Sequence, residues 1–248
     1  MKLGIIFAGQ GSQKVGMGKD LYEVYPEFRN SFDLLTEEHR RIAFEGTAEE
    51  IKATVNAQPI LLAFGMGVSK ILAKRGIRAD YTCGLSLGEY TALTSAGVFS
   101  EKEAMALIQF RANAMAKASE GLDTVMSAVL GLERKLLLSL CEKANEKAKV
   151  EIANYNCPGQ IVISGTRDGV TELERLAEEA GAKRTMRLSV SGPFHTSYME
   201  PASKALAEKF QEVSFGEMEI PVIFNCIGRE RENERIQDLL AAQVCSSV

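Results

Sequence analysis

The chain contains the stretch Gly84-Leu85-Ser86-Leu87-Gly88, in which glycines stand two residues before and two residues after a serine. The five residues 79–83 before it are predicted to form a short strand, and Leu87 to Ala96 a helix. A serine between a buried strand and a helix must occupy a sharp turn, where larger flanking side chains would collide. Strand, turn and helix in this order predict a nucleophile elbow within an α/β fold, with Ser86 as the nucleophile.

Composition limits the classes of partner. The 248 residues suffice for one substantial core, or for one core with a small inserted subdomain. A net charge of −4 provides no basic field for a phosphate backbone, which argues against nucleic acid. The five cysteines show no ligand spacing, so we expect no metal site, and their scatter is typical of a reducing cytoplasm. No stretch approaches the roughly 18 apolar residues of a membrane span, so we expect a cytoplasmic protein without a membrane partner.

The first strand leads into a glycine-rich loop. Leu3 to Ala8 is a continuous apolar run, which predicts a strand buried on both faces in a parallel sheet. The following loop, Gly9 to Gln13, does not match phosphate-binding templates, because Lys14 replaces a required glycine and Gly18-Lys19 lacks a following Ser or Thr. An amide from this loop and the amide of Leu87 are instead predicted to donate hydrogen bonds to an oxyanion.

Helical periodicity is present in several stretches and brings one charge onto an apolar face. The predicted helices are Lys19 to Leu35, Ala48 to Asn56, Pro59 to Lys74 and Glu101 to Ser119. Arg111 lies within the apolar stripe of the last of these, between Ile108 and Met115. A guanidinium on a core-facing side needs an acceptor, which a structural salt bridge or a position at a cleft rim could provide.

The predicted order of secondary-structure elements changes near Thr124. The order strand, helix, strand, strand, helix, strand is predicted up to Ser189, with a hairpin turn at Asn156 to Gly159. This is the order of a ferredoxin-like unit. We therefore predict a ferredoxin-like small subdomain over 124–189, inserted into a larger α/β hydrolase-like subdomain of 1–123 and 190–248 that has a short parallel sheet.

A serine nucleophile needs a base, and histidine is the usual one. The chain has two histidines. His39 lies in a run of charged residues, whereas His195 follows Gly192-Pro193-Phe194 in a loop that can present it rigidly. His195 is therefore the preferred base.

An α/β hydrolase triad would also need an acid between the serine and the histidine in the chain. Asp123 and Asp168 are the only aspartates there, and neither has supporting context. We predict a dyad, in which a backbone carbonyl in place of a carboxylate holds the other imidazole nitrogen of His195.

Five motifs together resemble the malonyl-CoA:acyl carrier protein transacylases of fatty acid synthesis. They match that family in order and approximate spacing over essentially the whole chain. The motifs are Phe7 to Gln13, Gly84 to Tyr90, Arg111, Asn154 to Gln160, and Gly192 to His195.

The resemblance implies a ping-pong reaction between malonyl-CoA and acyl carrier protein. Ser86 would take the malonyl group from coenzyme A as an ester and release it to the phosphopantetheine thiol, with His195 as the base in both halves. The amides of Gln10 and Leu87 would form the oxyanion hole. No tightly bound cofactor is implied, since coenzyme A enters as a thioester substrate.

The same resemblance assigns further roles. Arg111 would pair with the free malonyl carboxylate, and the backbone carbonyl of Gln243 would orient the histidine. Phe194 is similar to the residue of malonyl-type members, where methylmalonyl-type members have a smaller one. The substrate-binding residues implied are Arg111, Met115, Asn156 and Phe194.

Two departures from the family are visible. The family usually has histidine immediately before the nucleophile, where this chain has Leu85. Family members also continue past the position of Val248 with a further strand and helix, so we expect the C-terminal part of the family fold to be missing.

Three alternatives remain open at this point. A polyketide-type acyltransferase would use another acyl unit, and a serine esterase or thioesterase would use water as acceptor and require Asp123 or Asp168. A non-catalytic carrier-protein binder, or a truncated or decayed fragment, would not be acylated at Ser86.

Overall fold

A computed structural model of the chain describes residues 2–190 and 192–248. Met1 and Ser191, the latter opening the predicted loop before His195, lie outside the described residues. The elements are β1 (Gly4–Phe7), α1 (Lys19–Val24), α2 (Pro26–Phe32), α3 (Glu37–Glu45), α4 (Ala48–Lys52), α5 (Thr54–Lys74), β2 (Tyr81–Gly84), α6 (Leu87–Ser95), α7 (Glu101–Ser119), β3 (Thr124–Leu130), α8 (Arg134–Asn145), β4 (Val150–Cys157), β5 (Gln160–Thr166), α9 (Arg167–Glu179), β6 (Arg184–Arg187), α10 (Glu200–Lys209), β7 (Val222–Ile223) and α11 (Ile236–Gln243).

The chain divides into two compact units. The first comprises the residues up to Ala114 together with Leu206–Leu239, and the second comprises Met115–Ala205 and Leu240–Val248. The stretch 124–189, for which the ferredoxin-like order is predicted, lies inside the second unit.

The first unit is built on a parallel sheet of three strands among the described residues, in the order β1-β2-β7. The predicted short parallel sheet is confirmed, with Phe7 opposite Gly84 and Cys83 opposite Ile223. The prediction that the first strand is buried on both faces is wrong. β1 is an edge strand, and the side chain of Ile6 is 78% exposed.

Helices of the first unit cover this sheet. The longest, α5, packs against α2 through an aromatic cluster in which Phe28 stacks on Phe32 and meets Phe64 edge to face. The predicted helix over 19–35 is interrupted, because Pro26 starts a second helix and its ring cannot continue the first. α5 begins at Thr54, so Pro59 lies inside the helix and not in its first turn.

By length and composition alone, α5 could also cross a membrane. It has 21 residues with a mean hydropathy of 1.3 over its most apolar window, which corrects the expectation that no stretch approaches such a length. Of that window 56% is buried in the protein, as in the core helix of a soluble fold.

The second unit contains an antiparallel sheet in the order β4-β5-β3-β6, which is the strand order of a βαββαβ unit. Its core lies between the sheet and the helices α8 and α9 and includes Leu137, Ile163 and Leu173. β4 extends to Cys157, so the predicted turn residues Asn156 and Cys157 belong to the strand. The reversal is made by the next two residues, and the second of them, a glycine, has φ 79°.

Candidate active site

The turn after β2 has the geometry predicted for a nucleophile elbow. Ser86 stands between β2 and α6 with φ 55° and ψ −110°. A Cβ atom on Gly84 would lie 2.1 Å from the backbone of Gly88, and one on Gly88 would lie 2.4 Å from the carbonyl oxygen of Phe7. Both contacts are too short for a side chain, so the two flanking glycines are required by packing.

Backbone strain marks two residues of the described chain. Among non-glycine residues in 2–190 and 192–248, Ser86 (φ 55°) and His195 (φ 60°) have a positive φ, and no others do. Such conformations cost about 1–3 kcal/mol each and persist where the surroundings enforce them, often at functional sites. The two residues predicted as nucleophile and base are thus the two strained ones.

The hydroxyl of Ser86 is in contact with a buried arginine. Nη2 of Arg111 donates a hydrogen bond of 2.9 Å to Oγ of Ser86, and Nη1 donates one of 2.7 Å to Oε1 of Gln58. Arg111 is fully buried in α7, and its guanidinium lies 5.5 Å from the ring centroid of Tyr90. The cation is therefore fixed next to the serine oxygen.

Burial has the largest influence on the pKa of the Arg111 guanidinium. Burial lowers the pKa of Arg111, while Tyr90 and the carboxylate of Glu89 act in the opposite direction. Since arginine titrates far above neutral pH, the guanidinium stays charged. A buried charge of this kind can bind a carboxylate strongly, because little water competes for it.

The loop after β1 lies beside the elbow. A Cβ atom on Gly9 would come within 2.8 Å of the carbonyl oxygen of Leu85 and 3.2 Å of its Cγ, so only glycine fits there. The side chain of Gln10 donates to Oγ1 of Thr54 at 3.2 Å. Leu85 itself is 39% exposed.

His195, in the second unit, is held by the end of α11. Its amide donates to the carbonyl oxygen of Val244 at 3.1 Å, and Nδ1 lies 2.7 Å from the carbonyl oxygen of Gln243, the contact predicted from the sequence. A carbonyl oxygen only accepts, so Nδ1 carries the hydrogen and the neutral ring has Nε2 as its basic nitrogen. Gln243 is the last residue of α11, where helix carbonyls lack intrahelical partners and carry partial negative charge.

The loop before His195 is tightly packed. Phe194 is 6% exposed, and a Cβ atom on Gly192 would lie 2.0 Å from Oγ of Ser119 and 2.9 Å from the ring of Phe194. The small residue at position 192 therefore lets the aromatic ring enter the interior.

The second histidine and the two candidate aspartates lie in surroundings that differ from those of His195. His39 lies in the first turn of α3, where Oγ1 of Thr36 accepts from its amide and lies 3.0 Å from Nδ1. Burial lowers its pKa. Asp123 forms an ion pair with Arg167 that lowers the pKa of the carboxyl, and Asp168 is exposed in the first turn of α9. Nδ1 of His195 lies against a backbone carbonyl oxygen, the kind of partner that the sequence predicted for it.

Two other predicted substrate residues differ in exposure. Met115 is 1% exposed in α7, whereas Asn156 is exposed near the end of β4. Over residues 2–190 and 192–248, no three His, Cys, Asp or Glu side chains are grouped so that they could hold a metal ion.

Sequence reasoning missed Gln58 and Asn225. Gln58 is 1% exposed and accepts from Arg111; its signal was a polar residue directly before the apolar run Pro59 to Phe64. Asn225 follows the last parallel strand, and its side chain bonds to the elbow. Its signal was a polar residue at the carboxyl end of a parallel strand, where sites of α/β proteins lie.

The first unit has an apolar groove away from Ser86. It encloses about 980 Å³ and runs along β1, lined among others by Ile6, Phe64, Val68 and Leu72. Neither Ser86 nor Arg111 lines it. The outer side of β1 is exposed along this groove.

The chain is similar to known proteins over most of its length. Residues 5–246 match the family model described as acyl transferase domain. The malonyl CoA-acyl carrier protein transacylase of Bacillus subtilis (strain 168) is 43% identical over 229 residues, covering 90% of this chain and 72% of its own length.

Solved structures are also similar. The crystal structure of an acyl carrier protein S-malonyltransferase from Vibrio cholerae has a TM-score of 0.93 and 36% identity, with 100% of this chain and 83% of that one covered. A malonyl-transacylase solved with its type II PKS acyl-carrier protein has a TM-score of 0.95 and 31% identity, with 100% and 82% covered.

Proposed function

This chain belongs to the acyl transferase domain family, and we propose that it moves a malonyl group from coenzyme A to the phosphopantetheine thiol of acyl carrier protein. The enzyme is then an acyl carrier protein S-malonyltransferase. The observation that carries this proposal is the buried Arg111, which donates to the hydroxyl of Ser86. A cation beside the nucleophile suits an acyl group that ends in a carboxylate.

In the first half-reaction, Oγ of Ser86 attacks the thioester carbonyl carbon of malonyl-CoA. The hydroxyl proton passes to Nε2 of His195, and the C–S bond breaks as the tetrahedral intermediate collapses. The coenzyme A thiolate takes that proton and leaves as the thiol. Malonyl remains on Ser86 as an ester.

The second half-reaction reverses these roles for a new acceptor. The phosphopantetheine thiol gives its proton to His195 and attacks the ester carbonyl. Oγ of Ser86 leaves and takes the proton back. His195 suits both halves, because its Nδ1 is bound to the end of α11, whose partial negative charge stabilises the imidazolium that forms each time.

The oxyanion would be bound by the amides of Leu87 and Gln10. Leu87 is the first residue of α6, where a helix amide has no partner four residues back. The neighbouring amides of Leu85 and Gly88 already donate to carbonyls of Phe7 and Leu85, which supports Leu87 as the donor. Each such donor is worth roughly 2.7–4 kcal/mol in acyl transfer.

Substrate recognition would rest on Arg111, with Met115, Phe194 and Asn156 as further contacts. A charge-assisted pair contributes about 1.5–3 kcal/mol, which favours malonyl over acetyl by about tenfold to a hundredfold or more. The bulky side chain of Phe194 would leave less room for a branched acyl group, which would favour malonyl over methylmalonyl.

The test is acylation of the protein by labelled malonyl-CoA, read by intact mass. Wild type should gain one malonyl group, and Ser86→Ala should gain none. Transfer to holo acyl carrier protein should then empty the wild-type ester. A wild-type protein that stays unlabelled, or that passes the group to water faster than to the carrier, contradicts the proposal.

We propose that the βαββαβ stretch 124–189 acts as an inserted small subdomain, that no cofactor is tightly bound, and that the protein is cytoplasmic. The five free cysteines support the location. The pathway served is fatty acid synthesis, or polyketide synthesis as for the complex with the type II PKS carrier.

We further propose a role for the groove along β1. The chain spans 72–83% of the length of the relatives described above. The additional polypeptide of those relatives would cover the exposed Ile6 and pair with the outer edge of β1. An open apolar edge is otherwise an aggregation hazard.

Fusing to Val248 any polypeptide that follows the matching region in the Bacillus subtilis relative tests this role. The fusion should raise the urea midpoint of unfolding and reduce aggregation. The same fusion carrying Ile6→Glu should lose that gain, because a charge would then lie in the groove. An equal gain with and without Ile6→Glu places the segment elsewhere.

A further inference from the structure

The sheet of the first unit ends at Gly84, two residues before Ser86. β2 and β7 pair in parallel, with Thr82 opposite Val222 and Cys83 opposite Ile223. Continued by two residues, this register would place Asn225 opposite Leu85. The backbone of β7 does not continue, because the carbonyl of Phe224 accepts from Gly228 in a turn.

A parallel ladder has a fixed hydrogen-bonding rule. A residue on one strand donates its N–H to the carbonyl before its partner and accepts, at its C=O, from the N–H after its partner. The same sheet shows this where Thr82 donates to the carbonyl of Pro221 at 3.0 Å. A residue opposite Leu85 should therefore bond to the carbonyl of Gly84 and the amide of Ser86.

The side chain of Asn225 makes these two bonds. Nδ2 donates to the carbonyl oxygen of Gly84 at 2.7 Å, and Oδ1 accepts from the amide of Ser86 at 2.7 Å. A carboxamide has the same donor and acceptor as a peptide group, so it can replace one backbone step of the sheet.

The backbone of Asn225 also reaches the helix after the nucleophile. Its amide donates to Oε2 of Glu89 at 3.3 Å. Glu89 is 1% exposed and lies in the first turn of α6, where the helix dipole favours a negative charge. Asn225 thus forms hydrogen bonds with Gly84 before the nucleophile, with Ser86 itself and with Glu89 after it.

We propose that Asn225 is a positioning residue whose carboxamide replaces the missing strand partner of Leu85 and fixes the strained turn that carries Ser86. The inference rests on the proposed role of Ser86 as the acylated residue. Asn225 need not touch the substrate. It keeps the serine at φ 55°, with its hydroxyl beside Arg111 and with Leu87 as the next amide.

The chain offers a matched control in the second unit. Asn145 also bridges a helix end and a strand with one carboxamide: Nδ2 donates to Val150 and Cys141 carbonyls at 2.6 and 3.0 Å, and Oδ1 accepts from the Val150 amide at 3.0 Å. Its loss removes a comparable set of bonds without touching the elbow.

The experiment measures the rate of Ser86 acylation by malonyl-CoA for wild type, Asn225→Ala, Asn225→Asp and Asn145→Ala, with urea unfolding of each. We expect Asn225→Ala to lower the maximal rate about 30- to 100-fold with KM changed by less than about threefold, because small misplacements of a nucleophile have effects of this size. Asn225→Asp keeps the acceptor for Ser86 but replaces the donor to Gly84 by an oxygen that repels the carbonyl, so its maximal rate should also fall by more than about threefold. Asn145→Ala should lose stability and keep its rate within about twofold.

Each result has one meaning. Folded Asn225→Ala with a rate within about threefold of wild type overturns the inference, as does an equal loss in Asn145→Ala. If Asn225→Ala does not fold, the nearly isosteric Asn225→Asp decides by the same criterion. A wild-type protein that is not acylated contradicts the proposed function itself, whereas an acylated wild type with unaffected variants contradicts this inference alone.

Discussion

The elbow of Ser86 and the loop of His195 are both strained, and different chemical groups hold each of them in place. Both residues have a positive φ, near 55° and 60°, that their side chains disfavour. The elbow is fixed by flanking glycines and by the carboxamide of Asn225, which is a side chain. The histidine loop is fixed by the carbonyls of Gln243 and Val244, which are backbone.

The difference has a consequence for mutational sensitivity. A side-chain bond is lost when its residue is substituted, whereas a backbone carbonyl remains after almost any substitution that preserves the helix end. The elbow should therefore be sensitive to changes in its supporting residues, and the histidine loop mainly to changes in the histidine itself.

The largest effect is expected from His195→Ala. Loss of the base should slow acylation by malonyl-CoA by about 10²- to 10⁴-fold, because a positioned general base contributes that much. Stopped-flow or quenched acylation measures it. His39→Ala is the control and should stay within about twofold, since its ring contacts Thr36 in a helix cap. Equal losses in both variants would remove the distinction between the two histidines.

The second-largest effect is expected from substitution of Arg111, the buried cation beside Ser86. Arg111→Ala should reduce the ratio of malonyl to acetyl acylation by about tenfold to a hundredfold, because the carboxylate loses its charge-assisted partner. The ratio of the malonyl rate to the acetyl rate does not depend on the fraction of enzyme that is folded. This is useful here because substituting a buried residue can lower that fraction. Arg111→Lys should retain part of the preference, since it keeps the charge without the planar fork. An unchanged ratio would assign the arginine a purely structural role.

A smaller change is expected at Leu85. Leu85→His introduces the polar residue that the family usually has before the nucleophile, at a position that is 39% exposed. One additional hydrogen bond near the reacting group is worth about 1 kcal/mol, so acylation should rise about fivefold. Leu85→Phe, which adds size without a hydrogen-bonding group, serves as the control. A rise with both would point to packing against Gly9.

The smallest effect is expected from Gln243→Ala. The carbonyl that holds Nδ1 of His195 survives the change, so the acylation rate should fall by no more than about threefold. The comparison with Asn225→Ala is the decisive one: the elbow variant should lose about tenfold more. A larger loss in Gln243→Ala would mean that its buried side chain also orients the histidine.

The elements around the elbow were predictable, and those that depend on distant partners were not. The strand, turn and helix around Ser86 follow from local glycine spacing, and α7 was predicted with its observed bounds because its periodicity is regular. The burial of β1 was predicted wrongly. An apolar run shows that a strand is hydrophobic, but it does not show whether a neighbour covers its outer edge.

By itself, the sequence determined the parallel sheet and the family resemblance, and it predicted Ser86 as the nucleophile and His195 as the base, because short spacings and local periodicity encode these features. Only the tertiary structure placed Gln58 against Arg111, 53 residues away, and Asn225 against Ser86, 139 residues away. Such pairs depend on how strands and helices align across the sheet, which no local pattern specifies. The strain at Ser86 and His195 became visible for the same reason, since backbone angles are imposed by the contacts that surround the turn.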